Sequence, residues 1–309
     1  MRLAARLAGI GLALLLLLAS SGAGAARLYS WKDKRGYTQY GDRPPPADAL
    51  VDAEVDVRHF RNAPSALIRL RLENHNGQYQ AWADNLMYGP VEVLLHFKQA
   101  DRNVLASPLL PAQATVPARS SVVVSQVRLQ DPLRGGDFEL LLDGVPGDPV
   151  AVPEDYEYRL PFDYGRVRVD QGPGGSFSHN DEQNRDAVDF AVPIGTPVLA
   201  ARAGIVMQVE GDYDQAGLNR EKYGGRANFI RILHGDGSMA VYAHLKPEGV
   251  QVRVGQYVRK GQRIGLSGNT GFSTAPHLHF VVQVNRGMRL VSVPFRMFGP
   301  LGQLQFPRP

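Results

Sequence analysis

The stretch HLHFVVQV, residues 277–284, reads as a β-strand with two unlike faces. Its β-branched and aromatic content favours an extended chain, and its first residues alternate His, Leu, His, Phe. Side chains alternate across a strand, so His277 and His279 share one face while Leu278 and Phe280 occupy the other. Residues i and i+2 stand about 6 to 7 Å apart, close enough for one imidazole to ligate a metal while its neighbour reaches water held there.

Working outward, glycine-rich turns separate further short extended runs at 187–192, 197–209, 228–233, 239–244 and 263–266. Many tight turns between short strands describe an all-β domain. In the first run, AVDFAV, Asp189 points away from Val188 and Phe190, and a carboxylate set among apolar strand residues needs a partner. His244 ends the run VYAH, and His179 lies in GSFSHND. Taken singly, Asp189 reads as a turn or salt-bridge residue and His244 as a packed strand-end histidine. The five residues gain weight only as a group. The proline-marked end at Pro294, Pro300, Pro307 and Pro309 is expected to be loosely attached.

Upstream, residues 66–72, 91–97, 120–129 and 138–142 carry period-two apolar patterns with no helix between them, so an Ig-like β-sandwich is expected over residues 51–155. His59, His75 and His96 are scattered singly through it and read as ordinary surface or partly buried histidines. Before it, Leu28 to Trp31 and Tyr37 to Tyr40 flank the turn Asp33-Lys34-Arg35-Gly36, a hairpin signal, and Pro44, Pro45 and Pro46 stiffen the exit. This gives a small hairpin module at 27–50. The first 26 residues, with Arg2 and Arg6 before an apolar run and small residues at Ala23, Gly24 and Ala25, read as a cleaved secretory signal peptide. The apolar run is shorter than the roughly 20 residues a spanning helix wants, so no stable membrane span is expected after cleavage.

The 309 residues contain no cysteine, which excludes disulfides, thiolate metal sites and cysteine nucleophiles and leaves His, Asp and Glu for any metal. Loss of Arg2 and Arg6 takes the formal charge from +4 to +2, too slight to indicate a nucleic-acid partner or polybasic membrane binding.

Three stretches together resemble the M23 (lysostaphin-like, LytM-type) family of zinc metallopeptidases: DAVDFAVPIGTPVLAARAGIV at 186–206, NFIRILHGDGSMAVYAHL at 228–245 and GNTGFSTAPHLHF at 268–280. The resemblance covers roughly residues 162–293 and implies an antiparallel β-sheet peptidase domain at 156–300. It further implies that His179, Asp189 and His279 bind one zinc ion, that His244 and His277 are catalytic, and that Gly268, Gly271 and Ser273 shape the cleft loop. His234 falls outside the implied ligand set and is expected to be structural. Many members hold the first histidine and the aspartate four positions apart, whereas here the separation is ten, with a polar turn expected at 180–185. A charged, glycine-bounded piece at 211–225 is expected to form a rim loop. The segment at 27–46 resembles a short aromatic-rich domain of unknown function, DUF4124, through Tyr29, Trp31, Asp33, Gly36, Tyr40, Asp42, Pro44 and Pro45.

The resemblance implies a zinc endopeptidase acting on the peptide stems and cross-links of bacterial peptidoglycan, in the periplasm or, second, outside the cell. With two nitrogens and one carboxylate as ligands, a tetrahedral zinc keeps its fourth position for water, the arrangement of a catalytic site. Two other readings belong to the same sequence: a noncatalytic regulator of cell-wall hydrolases, and a peptidase acting on other proteins or on glycine-rich bridges.

Overall fold

The computed structural model describes residues 68–134 and 136–307, with the backbone of three strands nearer the N-terminus. The expected signal peptide, the turn at 33–36 and the prolines at 44–46 lie outside the described residues. The chain divides into two compact units, residues 1–62 and 63–309. In the first, Arg27–Lys32 pairs antiparallel with Thr38–Gly41 and, on its other edge, with Asp56–His59.

The second unit is almost entirely β-structure in several sheets, mostly antiparallel, with one four-residue α-helix among the described residues. Among the described residues no helix is long and apolar enough to cross a membrane.

Its first half contains a four-stranded sheet, in the order Ile68–His75, Gln78–Asn85, Ser121–Leu129, Val104–Ser107, and a three-stranded sheet, in the order Phe138–Pro146, Val91–Ala100, Ala112–Val116. Alternate residues of both sheets, including Ala81, Ala83 and Val127 from one and Val93, Leu95 and Val116 from the other, form one apolar core. The Gln78–Asn85 strand escapes the apolar pattern because it buries an acid. Asp84 is 5% exposed and lies opposite Arg69 across the ladder. Hydrogen bonding from the Arg71 guanidinium, with Arg69 adding to it, pulls the Asp84 carboxyl down to about 2.

The second half is built on a ten-stranded sheet whose main path runs Arg168–Gln171, Val188–Ala191, His277–Asn285, Met239–Val250, Asn228–Leu233, Gly204–Glu210, Tyr257–Val258. The run expected as one strand at 197–209 is two, Pro197–Leu199 and Gly204–Glu210, which pair with different neighbours. One face of the sheet carries Val188, Phe190, Ile230, Ile232, Ala240, Tyr242, Leu278, Phe280 and Val282 into the main core. Full burial of each large side chain is worth about 1.5–3 kcal/mol, so this face fixes the register of every strand bearing a site residue.

The proline-marked end is not loose up to residue 307. Arg296–Gly299 pairs parallel with Glu157–Arg159, Met297 is fully buried, and Phe295 and Phe306 pack on the main core. Apolar burial outweighs the missing amide donors of the prolines there. The two halves of the unit also share a core: Met207 and Met239, both fully buried, belong to the cluster of the first-half sheets.

Candidate metal centre

The opposite face of the same sheet carries the polar residues. Asp189 stands opposite His279 in the antiparallel ladder, while their neighbours Val188 and Phe190 face Phe280 and Leu278 in the core. The alternation that buries four apolar side chains on one side thus delivers a carboxylate and an imidazole to the other. Asp189 Oδ1 lies 2.9 Å from His279 Nδ1, 3.2 Å from His179 Nε2 and 3.7 Å from His277 Nε2.

His179 arrives from a loop and is fully buried. Its Nδ1 donates to the Gly172 carbonyl at 2.8 Å, which fixes the tautomer and leaves Nε2 as the free nitrogen. That Nε2 is buried and has no hydrogen-bond partner. The ten-residue separation from Asp189 is closed by a turn in which Arg185 N donates to Asp181 O and Asn184 N to Asp181 Oδ1, in the polar segment expected to turn.

One ligand atom from each of His179, Asp189 and His279 lies within 4.8 Å of the other two. Donors bound to tetrahedral zinc at about 2.0–2.2 Å stand about 3.3–3.5 Å apart, and the separations at Asp189 Oδ1 are near that scale. A buried nitrogen lacking any partner, beside a carboxylate and a second imidazole, fits a cation. The set consists of nitrogen and oxygen donors and suits one Zn²⁺.

His244 reaches the site by a route that alternation does not provide. It lies in Met239–Val250 next to Tyr242, a core residue, and Ala243, which faces His279. On the neighbouring strand Phe229 pairs with Ala243 and Asn228 with Leu245, so His244 is the extra residue of a β-bulge. Its φ is +61°, a conformation costly for a residue with a Cβ and common where a side chain is re-aimed at a functional site. The Thr270 carbonyl accepts from His244 Nδ1 at 2.6 Å. His277 Nδ1 likewise donates to the Ala275 carbonyl at 2.8 Å. Both imidazoles therefore carry the proton on Nδ1 and keep Nε2 as an acceptor. Their ring centroids are 4.5 Å apart.

Burial, followed by the imidazoles of His277 and His279, pushes His244 down to about 3. Burial also lowers His277. For Asp189, burial works in the opposite sense, but the adjoining His179 and His279 imidazoles hold its carboxyl well below the usual range.

Of the expected loop residues, Ser273 lines the hollow reaching His277. Gly271 has φ +88°, and a Cβ there would collide with the Arg226 carbonyl. A Cβ on Gly268 would meet the Lys246 backbone, and Ser273 Oγ bonds to Asn269 Oδ1 at 2.7 Å. His234 lies apart, as expected: its Nδ1 donates to the Ala203 carbonyl, and burial lowers it to about 4. The rim segment includes the helix Arg220–Tyr223, capped by the Asn219 side chain accepting from Lys222 N, and lines the groove beside His244 and His279.

Five contributors carry no sequence signal. Gln171 stands opposite Asp189 in the ladder and donates Nε2 to its Oδ2 at 3.2 Å. The Gly172 and Thr270 carbonyls orient two histidines, a role open to any residue type. Phe177 and Phe272 stack at 5.2 Å, and Phe272 lines both the groove reaching His279 and the smaller hollow reaching His277.

The model of peptidase family M23 matches residues 183–290, and that of DUF4124, a domain of unknown function, matches residues 14–64. The chain is 42% identical over 98 residues to an uncharacterized metalloprotease of Haemophilus influenzae, covering 32% of this chain and 18% of that protein. It is 37% identical over 128 residues to the peptidoglycan DD-endopeptidase ShyA of Vibrio cholerae, covering 41% and 25%. The chain thus spans a quarter or less of the length of these two relatives. Among solved structures, the catalytic domain of lysostaphin from Staphylococcus simulans is 38% identical, with 39% of this chain and 80% of that one covered and a TM-score of 0.30. His179 precedes the matched family segment, so its place in the cluster rests on the geometry alone. The match to peptidase family M23 thus lies in residues 183–290, the segment that holds Asp189, His244, His277 and His279.

Proposed function

We propose that the protein is a zinc-dependent endopeptidase that hydrolyses peptide cross-links of bacterial peptidoglycan. The observation that carries this reading is the convergence of His179, Asp189 and His279 beside two further histidines whose Nδ1 atoms are tied to backbone carbonyls. His179 Nε2, the Asp189 carboxylate and His279 Nδ1 would hold one zinc ion. When bound, zinc polarises the scissile carbonyl and lowers the pKa of the attacking water. His244 and His277 remain neutral near pH 7 and offer Nε2 to accept the proton of that water. Once protonated, the same Nε2–H donates to the developing oxyanion and then to the leaving amine.

The substrate class is supported by the name of the relative ShyA, a peptidoglycan DD-endopeptidase. Export to the periplasm is supported by the signal-like residues 1–26. The remaining organisation in this reading is a hairpin module at 27–50, an Ig-like sandwich at 51–155 and the peptidase domain at 156–300. Two core-sharing antiparallel sheets favour the sandwich. Elemental analysis of the pure protein should give one zinc per chain. Mass spectrometry of cross-linked wall peptides should show chelator-sensitive cleavage; a folded protein that binds no zinc, or leaves the cross-links intact, would sink the reading.

A further inference from the structure

The groove beside the metal centre has an unexplained cation in its floor. Arg231 is 8% exposed and lines this groove of about 490 Å³ together with His244, His279 and Gln283. Its Nη1 donates to Gln283 Oε1 at 2.7 Å, while its Nε is buried without a partner. It forms no ion pair with a carboxylate among the described residues. The acid lining the groove, Asp181, is engaged elsewhere, with Arg220 at 3.7 Å. A buried charge is normally paired, because desolvation is otherwise uncompensated. Burial pulls this guanidinium down to about 10, and it remains charged at neutral pH.

We propose that Arg231 binds a free carboxylate of the substrate peptide, two to four residues from the scissile bond, an inference that rests on the peptidase reading above. The sheet register sets the distance. Arg231 pairs with Val241 and Val241 with Val281, two residues beyond His279; Gln283 is four beyond it. The guanidinium thus lies about 7 to 13 Å along the strand from His279, the span of two to four extended residues. Val241, Val281, Phe229 and Ala243 make the intervening floor apolar. The next pair on this face, Leu233 and Met239, packs into the core of the first-half sheets, so the floor ends just beyond Arg231. A closed end with an unpaired guanidinium suits a carboxylate that terminates a chain or side chain, which the planar fork can hold through two hydrogen bonds.

The test uses synthetic cross-linked peptides in which each free carboxylate is replaced in turn by a carboxamide, with the zinc-loaded full chain. One replacement should lower wild-type kcat/KM by about 10- to 100-fold, mainly through KM, the scale of one charge-assisted contact. Arg231→Met should bring that ratio close to one, and Arg231→Lys should keep part of it. Discrimination retained in full by Arg231→Met, or a wild type that treats all the peptides alike, would overturn the assignment. If Arg231→Met fails to fold, the ratio for Arg231→Lys decides, full retention counting against it. Calorimetric binding of the same peptides separates this inference from the peptidase reading. Carboxylate-dependent binding without cleavage removes only the latter, and cleavage without carboxylate preference removes only the former.

Discussion

Asp189 and His279 are ladder partners on adjacent antiparallel strands, ninety residues apart in the chain, with Oδ1 and Nδ1 2.9 Å apart. Their register is held from the far face by Val188, Phe190, Leu278 and Phe280, all fully buried. A one-residue slip would bury the polar pair and expose the apolar set, so the core specifies the site geometry.

Asp189→Ala should therefore weaken zinc binding by about 100-fold or more while leaving the β-sheet spectrum unchanged, since the carboxylate is a ligand and outer partners alone are worth 10–100-fold. Competition with a chromogenic chelator reads the affinity. Wild-type affinity in the variant would remove Asp189 from the ligand set.

His244→Ala and His277→Ala should each retain one zinc per chain and lose about 10²–10⁴ in kcat, the range for a positioned acid or base. The double variant should be little worse than the poorer single one, because the two rings act as a unit. Loss of zinc from either single variant would reassign that residue as a ligand.

Gly271→Ala should lower kcat more than it lowers unfolding temperature. The substitution meets a positive φ and the Arg226 carbonyl, next to the Thr270 carbonyl that orients His244. Backbone strain of this kind costs about 1–3 kcal/mol. Wild-type kcat in a folded variant would show that the loop does not position His244.

His234 predicts a pH dependence of stability. Burial depresses it to about 4 in the folded chain, against 6.5 in the unfolded chain. Between these values only the unfolded state binds the proton. The contribution is fully present above pH 6.5, declines as pH falls, and is exhausted near pH 4, a loss of roughly 3 kcal/mol. Denaturant titrations of the zinc-saturated protein should show this loss, and His234→Gln should flatten it. Identical slopes in the two proteins would contradict the assignment.

Much of the centre was legible because strand alternation is a local rule. HLHF places two histidines on one face, and AVDFAV places Asp189 opposite its apolar neighbours. The strand Gln78–Asn85 was not legible, because burial of Asp84 depends on Arg69 and Arg71 from the strand before it. The attachment of the C-terminal segment was hidden for a similar reason: its partner strand, Glu157–Arg159, lies more than a hundred residues upstream.

The sequence by itself determined the all-β character and the N/O chemistry of any metal ligand, since composition and period-two alternation are written in consecutive residues, while the five candidate site residues came from the resemblance to a family. Tertiary structure decided that His244 turns into the site through a bulge, that His179 spends its Nδ1 on a carbonyl, and that Arg231 is a buried cation at the closed end of the groove. Each depends on contacts between strands distant in the chain, and no local periodicity encodes a contact of that kind.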